Sequence, residues 1–104
     1  PRLVSSAASD VYKRQDPANP YEVGMFEIGK EGQSIHDVWV EDGIAYSSNW
    51  RDGVYLVDVG NGIAGGTPEN PVAYGNYSYD RGANHATFQY KSKSTGKFYA
   101  VMGY

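Results

Sequence analysis

Between positions 35 and 60 the chain reads IHDVWVEDGIAYSSNWRDGVYLVDVG, and its apolar residues fall into three short runs. Val38 and Val40 alternate with Asp37 and Trp39. Ile44, Ala45 and Tyr46 follow the break at Glu41-Asp42-Gly43, and Val54, Tyr55, Leu56, Val57 and Val59 follow the break at Asn49-Trp50-Arg51-Asp52-Gly53. A period of two between β-branched and aromatic residues is the signature of a strand, because successive side chains point to opposite faces. Asp-Gly between such runs marks a tight hairpin, since Gly accepts the positive φ that the turn needs. The pattern predicts an antiparallel meander with strands over 36–41, 44–48 and 53–59.

The same pattern recurs along the chain. Asp16-Pro17-Ala18-Asn19-Pro20 returns as Thr67-Pro68-Glu69-Asn70-Pro71, 51 residues later. Each proline leads into a run with Gly at the same place, YEVGMFEI from Tyr21 and VAYGNYSY from Val72. His36-Asp37-Val38-Trp39 matches His85-Ala86-Thr87-Phe88 at an offset of 49, and Ile44-Ala45-Tyr46-Ser47 is expected to match Phe98-Tyr99-Ala100-Val101. A period of about 50 residues holding four strands is the size of one propeller blade. The fold class expected is all-β: a fragment of a β-propeller with about one full four-stranded antiparallel blade and parts of two neighbours. The outer strand of a preceding blade covers 20–29, the full blade 35–79, and a partial blade 84–104. A free-standing β-sandwich is the alternative, but it requires no such long-range repetition.

Composition sharpens this picture in three places. Ten Tyr and thirteen Gly suit pleated surfaces and turns rather than helices. Cysteine is absent, which removes disulfides, thiol nucleophiles and thiolate metal sites from consideration. No apolar run approaches the length that spans a bilayer as a helix. Ser5 to Gln15, SSAASDVYKRQ, resembles no domain; a transposon adapter used in preparing sequencing libraries translates in frame to the same residues. Residues 1–15 are therefore expected to be non-native and disordered, and the chain to be a piece of a longer protein. They hold three of the nine Lys/Arg and one of the twelve Asp/Glu, so the net charge of −3 becomes −5 without them. Such an acidic chain has no basic footprint for nucleic acid.

The segment GIAYSSNWRDGVYLVDVGN resembles the LVIVD-repeat proteins, predicted β-propellers of bacterial and archaeal cell surfaces. Tyr55-Leu56-Val57-Asp58-Val59 matches their characteristic strand, and Asp16-Pro17-Ala18-Asn19-Pro20 the turn that follows it; residues 60–66, GNGIAGG, lengthen that turn. The resemblance covers 16–104. It implies an extracellular or cell-surface location, with the periplasm as a variant, and the remaining blades of the same chain as partners.

Candidate chemistry lies in the turns. In a propeller, the loops leading into the innermost strands and those joining strands two and three open on one face. That brings together 32–36, 47–52 and 81–85. His36 and His85 would lie near the channel mouth, one per blade, as candidate ligands for a divalent metal, with Asp37 orienting or co-ligating. Two histidines alone do not define a site, and each equally suits a role in registering the innermost strands. Asn49, Trp50, Arg51 and Asp52 place an aromatic beside a cation and amides, a frequent recognition surface for carbohydrate or protein. A capped turn with Trp50 covering a sheet edge is the plainer reading. No phosphate-binding loop or nucleophile elbow occurs. The sequence therefore points to a binding or scaffold module without demonstrable catalysis and without a cofactor beyond that metal. A metal-dependent propeller enzyme with histidines lining its channel is the alternative.

Overall fold

A computed structural model describes residues 8–12, 18–29, 34–79 and 81–103, with 8–12 described as backbone alone. The strands are β1 (Ala8–Tyr12), β2 (Glu22–Glu27), β3 (Asp37–Glu41), β4 (Ile44–Ser48), β5 (Val54–Asp58), β6 (Val72–Tyr77), β7 (Ala86–Lys91) and β8 (Phe98–Gly103). Among the described residues they form three antiparallel sheets, ordered β1-β2, β3-β4-β5-β6 and β7-β8. No helix occurs among the described residues. The chain is all-β, and its centre is a four-stranded meander in sequence order.

The two turns of that meander differ. Asp42 and Gly43 both have positive φ, 54° and 73°, as a two-residue type I′ hairpin requires. At the second turn the positive values fall on Trp50 (52°) and Gly53 (80°) rather than on the Asp52-Gly53 pair. Asn49 N–H donates to Gly53 O at 2.8 Å and Gly53 N–H to Trp50 O at 3.1 Å, closing a five-residue turn.

Register shows that the outer sheets repeat halves of the central one. His36 N–H donates to Ser48 O (2.8 Å) and His85 N–H to Gly103 O (2.9 Å), each one residue out of step with the strand pairing beside it. Thus β7-β8 repeats β3-β4. This match sets Ile44 against Tyr99, one residue later than the Phe98 expected from sequence. The β7-β8 turn is longer than the β3-β4 turn, six residues against two, so the pattern alone slips by one.

Likewise β1-β2 repeats β5-β6. The pairing of β5 with β6 skips a residue between Leu56↔Gly75 and Val57↔Ala73, and that of β1 with β2 skips one between Val11↔Gly24 and Tyr12↔Glu22. Gly24 and Gly75 are the same position of the repeat. Residues 8–12 were expected to be disordered; instead they pair with β2. The physical reason is that an exposed strand edge offers backbone N–H and C=O groups to any extended segment, whatever its side chains. The rest of 1–15 lies outside the described residues, as do 30–33 and the Asp16-Pro17 half of the first proline turn.

Alternation places the outer sheets on opposite faces of the central one. Tyr46 and Ser48 face β7: Tyr46 Oη donates to Gln89 Oε1 at 2.7 Å and Ser48 Oγ to Thr87 Oγ1 at 3.3 Å. Tyr55, which pairs with Ser47, faces the other way, its ring 6.1 Å from that of Phe26 on β2. A Cβ built on Gly24 would collide with Pro68 O, so the backbones of β2 and the second proline turn meet there. Among the described residues the buried apolar set is small, Ala45, Tyr46, Val54 and Val57; Ser47, Ser48, Asn49, Asp58, Asn84 and Thr87 are buried beside it.

Candidate functional site

The histidine backbones fix where their side chains meet. Both residues immediately precede the first strand of their sheets and are held there by the Ser48 and Gly103 carbonyls. Their imidazole centroids lie 4.2 Å apart, tilted at 49°. Trp50 completes the group, its ring 4.1 Å from His36 and 5.9 Å edge-on from His85. Thus His36, Trp50 and His85, three of the residues singled out in sequence, share one end of the sheets. All three are exposed, Trp50 at 38 %.

Trp50 is held in an unusual way. A bulky residue at positive φ is disfavoured by about 1–2 kcal/mol, and it persists only where its surroundings over-determine it. Here a two-way bridge does so: Trp50 N–H donates to Asn84 O at 3.2 Å and Asn84 N–H to Trp50 O at 2.7 Å. That bridge ties the second turn of the central sheet to the segment leading into β7.

The other candidates separate. Asn49 is fully buried, its Nδ2 donating to Ser47 O at 2.8 Å, and so it holds the turn rather than facing a ligand. Asp37 and Arg51 are exposed; Asp52 is half-buried, and its N–H donates to Asn49 O at 3.0 Å. Among the described residues no group of three or more His, Cys, Asp or Glu is placed to hold a metal ion. His36 and His85 remain a two-imidazole pair.

Beneath the aromatic group runs a buried polar chain that sequence reasoning missed. Ser48 Oγ donates to Thr87 Oγ1, Thr87 Oγ1 to Asn84 Oδ1 at 3.0 Å, and Asn84 Nδ2 to Tyr79 Oη at 3.0 Å. Only the Asn beside His85 could have signalled it, and Asn in a turn ordinarily means local backbone geometry.

The opposite end of the sheet is organised by Asp58. Gly60, Gly62, Ala64 and Gly66 donate backbone N–H groups to its carboxylate at 2.8–3.1 Å. Burial pushes its pKa up, but the amides of Ala64, Gly60, Gly62 and Gly66 outweigh that and hold the carboxyl well below the ordinary range. The long 60–66 turn is therefore a nest of amides around an internal anion. Beside it a cleft of about 370 Å³ is lined by Tyr46, Leu56, Ile63, Tyr74, Phe98 and Tyr99 among others. Burial, with Tyr74, Glu41 and Asp42 adding to it, pushes the Tyr46 phenol up to about 12.

No helix among the described residues is long and apolar enough to cross a membrane. No family model, curated protein or solved structure matches the chain.

Proposed function

We propose that the chain is part of a secreted or cell-surface β-propeller and serves as a binding and scaffold module. The resemblance to LVIVD-repeat proteins and the repeated strand registers support the propeller reading and the surface location that goes with it; a periplasmic location fits equally. One observation supports the binding role: the exposed Trp50 is fixed at positive φ by Asn84 and packed against His36 and His85. A rigid, exposed indole beside Arg51 offers a low-entropy platform for a carbohydrate ring or a protein side chain. Screening the chain and its Trp50→Ala variant against glycan and peptide arrays tests this. At least one ligand bound by the chain and lost in the variant is expected. Identical profiles for the two would refute the role of Trp50.

The contact of His36 with His85 favours a second reading, a propeller enzyme whose channel histidines hold a divalent metal. Equilibrium dialysis against zinc, nickel or copper reads it out. A stoichiometry unchanged by His36→Ala would dispose of it.

A further inference from the structure

Six asparagines occur in the chain, and one alone is followed by glycine: Asn61-Gly62, in the turn that wraps Asp58. That dipeptide carries its own chemistry. With no Cβ, Gly62 lets its backbone nitrogen come close to the preceding side chain. The nitrogen can then attack Asn61 Cγ. The N–Cγ bond forms, the Cγ–Nδ2 bond breaks, and ammonia leaves with the proton of the Gly62 amide. Solvent water opens the resulting cyclic imide at either carbonyl, leaving aspartate or isoaspartate at position 61. No oxidant or metal enters the balance. Asn61 is exposed, so water reaches it.

The fold holds both reacting groups away from this step. Gly62 N–H donates to both oxygens of the buried Asp58 carboxylate, each at 3.1 Å. The attacking nitrogen must shed that proton, and a carboxylate accepting it stabilises the N–H and opposes an amide anion. The Asn61 side chain is committed elsewhere, its Nδ2 donating to Asp42 O at 2.8 Å. Its backbone N–H donates to Gly43 O at 3.2 Å. Asn61 is thus pinned to the β3-β4 turn while Gly62 is pinned to Asp58. All of these partners lie between positions 42 and 62, so the restraint is set within the central sheet.

We infer that Asn61-Gly62 is a deamidation site which the Asp58 nest keeps closed in the folded chain and which opening of the 60–66 turn exposes. The modification is one-way. A carboxylate at position 61 has no donor for Asp42 O, and isoaspartate adds a methylene to the backbone between the two pinned residues. A chain that has opened long enough to react closes again without that contact. The site lies at the opposite end of the sheet from Trp50, so the inference stands apart from the binding role.

The full chain is held at neutral pH and physiological temperature beside a peptide of residues 59–65, VGNGIAG. Loss of Asn61 is followed by peptide-mapping mass spectrometry. Loss from the folded chain should be at least about tenfold slower than from the peptide, because reaction waits for the turn to open. Asp58→Asn should speed it several-fold. Asn84→Ala, which weakens the far end of the fold and leaves the nest intact, should not. A readout on the parent alone covers the case in which Asp58→Asn does not fold. Across sub-denaturing urea, Asn61 loss and exchange of the Gly62 amide should rise together, since one opening releases both. Four outcomes would overturn the inference: equal rates in chain and peptide, no loss from either, equal acceleration by Asp58→Asn and Asn84→Ala for equal stability lost, or Gly62 exchange that rises without Asn61 loss.

Discussion

Trp50 and Asn84 exchange both of their backbone hydrogen bonds across two sheets, although 34 positions separate them in the chain. The Asn84 side chain simultaneously accepts from Thr87 and donates to Tyr79, so one buried residue links the aromatic group to the polar chain beneath it. Asn84→Ala should leave Thr87 and Tyr79 without that partner and lower stability by about 1–3 kcal/mol, the cost of buried polar groups losing their bonds. Denaturant unfolding of the purified variant measures this. Because Thr87 belongs to the same chain of bonds, Asn84→Ala with Thr87→Ala should cost less than the two singles added together.

Gly43 and Gly96 share a φ of 73° but not their surroundings. A Cβ at Gly43 would lie 2.5 Å from Asn61 N, whereas nothing lies within 4 Å of one at Gly96. Gly96→Ala should cost only the left-handed backbone penalty of about 1–2 kcal/mol. Gly43→Ala should cost clearly more, because it also displaces the 60–66 turn. Paired thermal melts give the difference, and equal shifts would mean that Asn61 simply moves aside.

Asp58 ties stability to acid pH through the amides around it. Its folded pKa lies below the unfolded value of 3.8, so its contribution is present above that value and is lost as pH falls further. Asp58→Asn places an N–H₂ group among amide donors and removes the charge. The variant should be less stable than the parent at neutral pH, with a flatter decline on acidification below about pH 4. Unfolding curves across that range distinguish the two.

Tyr46 acts at the other extreme. Its folded pKa of about 12 stands above the unfolded 10.0, so the stability it contributes is present below pH 10 and is lost as pH rises through 12. Tyrosinate absorbance followed alongside unfolding should show the Tyr46 phenol resisting ionisation until the sheets part, with Tyr74, also pushed up by burial, titrating late beside it. Tyr46→Phe should diminish that late phase and remove the Gln89 hydrogen bond.

The central meander was legible in the sequence because its short runs are rich in β-branched and aromatic residues and each break carries a glycine. The Ile44 to Ser48 strand was bounded to the residue, and His36, Trp50 and His85 were expected on one face because the repeat puts turns of equal rank together. Other features depended on contacts that no local pattern encodes. Asn49 looked like a ligand residue but is drawn inside by the Ser47 and Gly53 carbonyls. Nothing in the strand pattern marks Asp58 as an anion to be enclosed, yet four amides from further along the chain surround it. The strand at 8–12 was unreadable for a different reason. Its pairing is set by the waiting edge of β2 rather than by its own side chains.

The nest around Asp58 is written in backbone conformations. Every residue except proline carries an N–H, so the loop asks of its sequence glycines at a few positive-φ positions, such as Gly60, Gly62 and Gly65, a glycine at 66 where a Cβ would collide with Asp58 O, and one carboxylate to close around. Positions such as Ile63 and Ala64 are free to drift without loosening it. A rim built in this way can change its outward chemistry from repeat to repeat while the strand beneath stays the same.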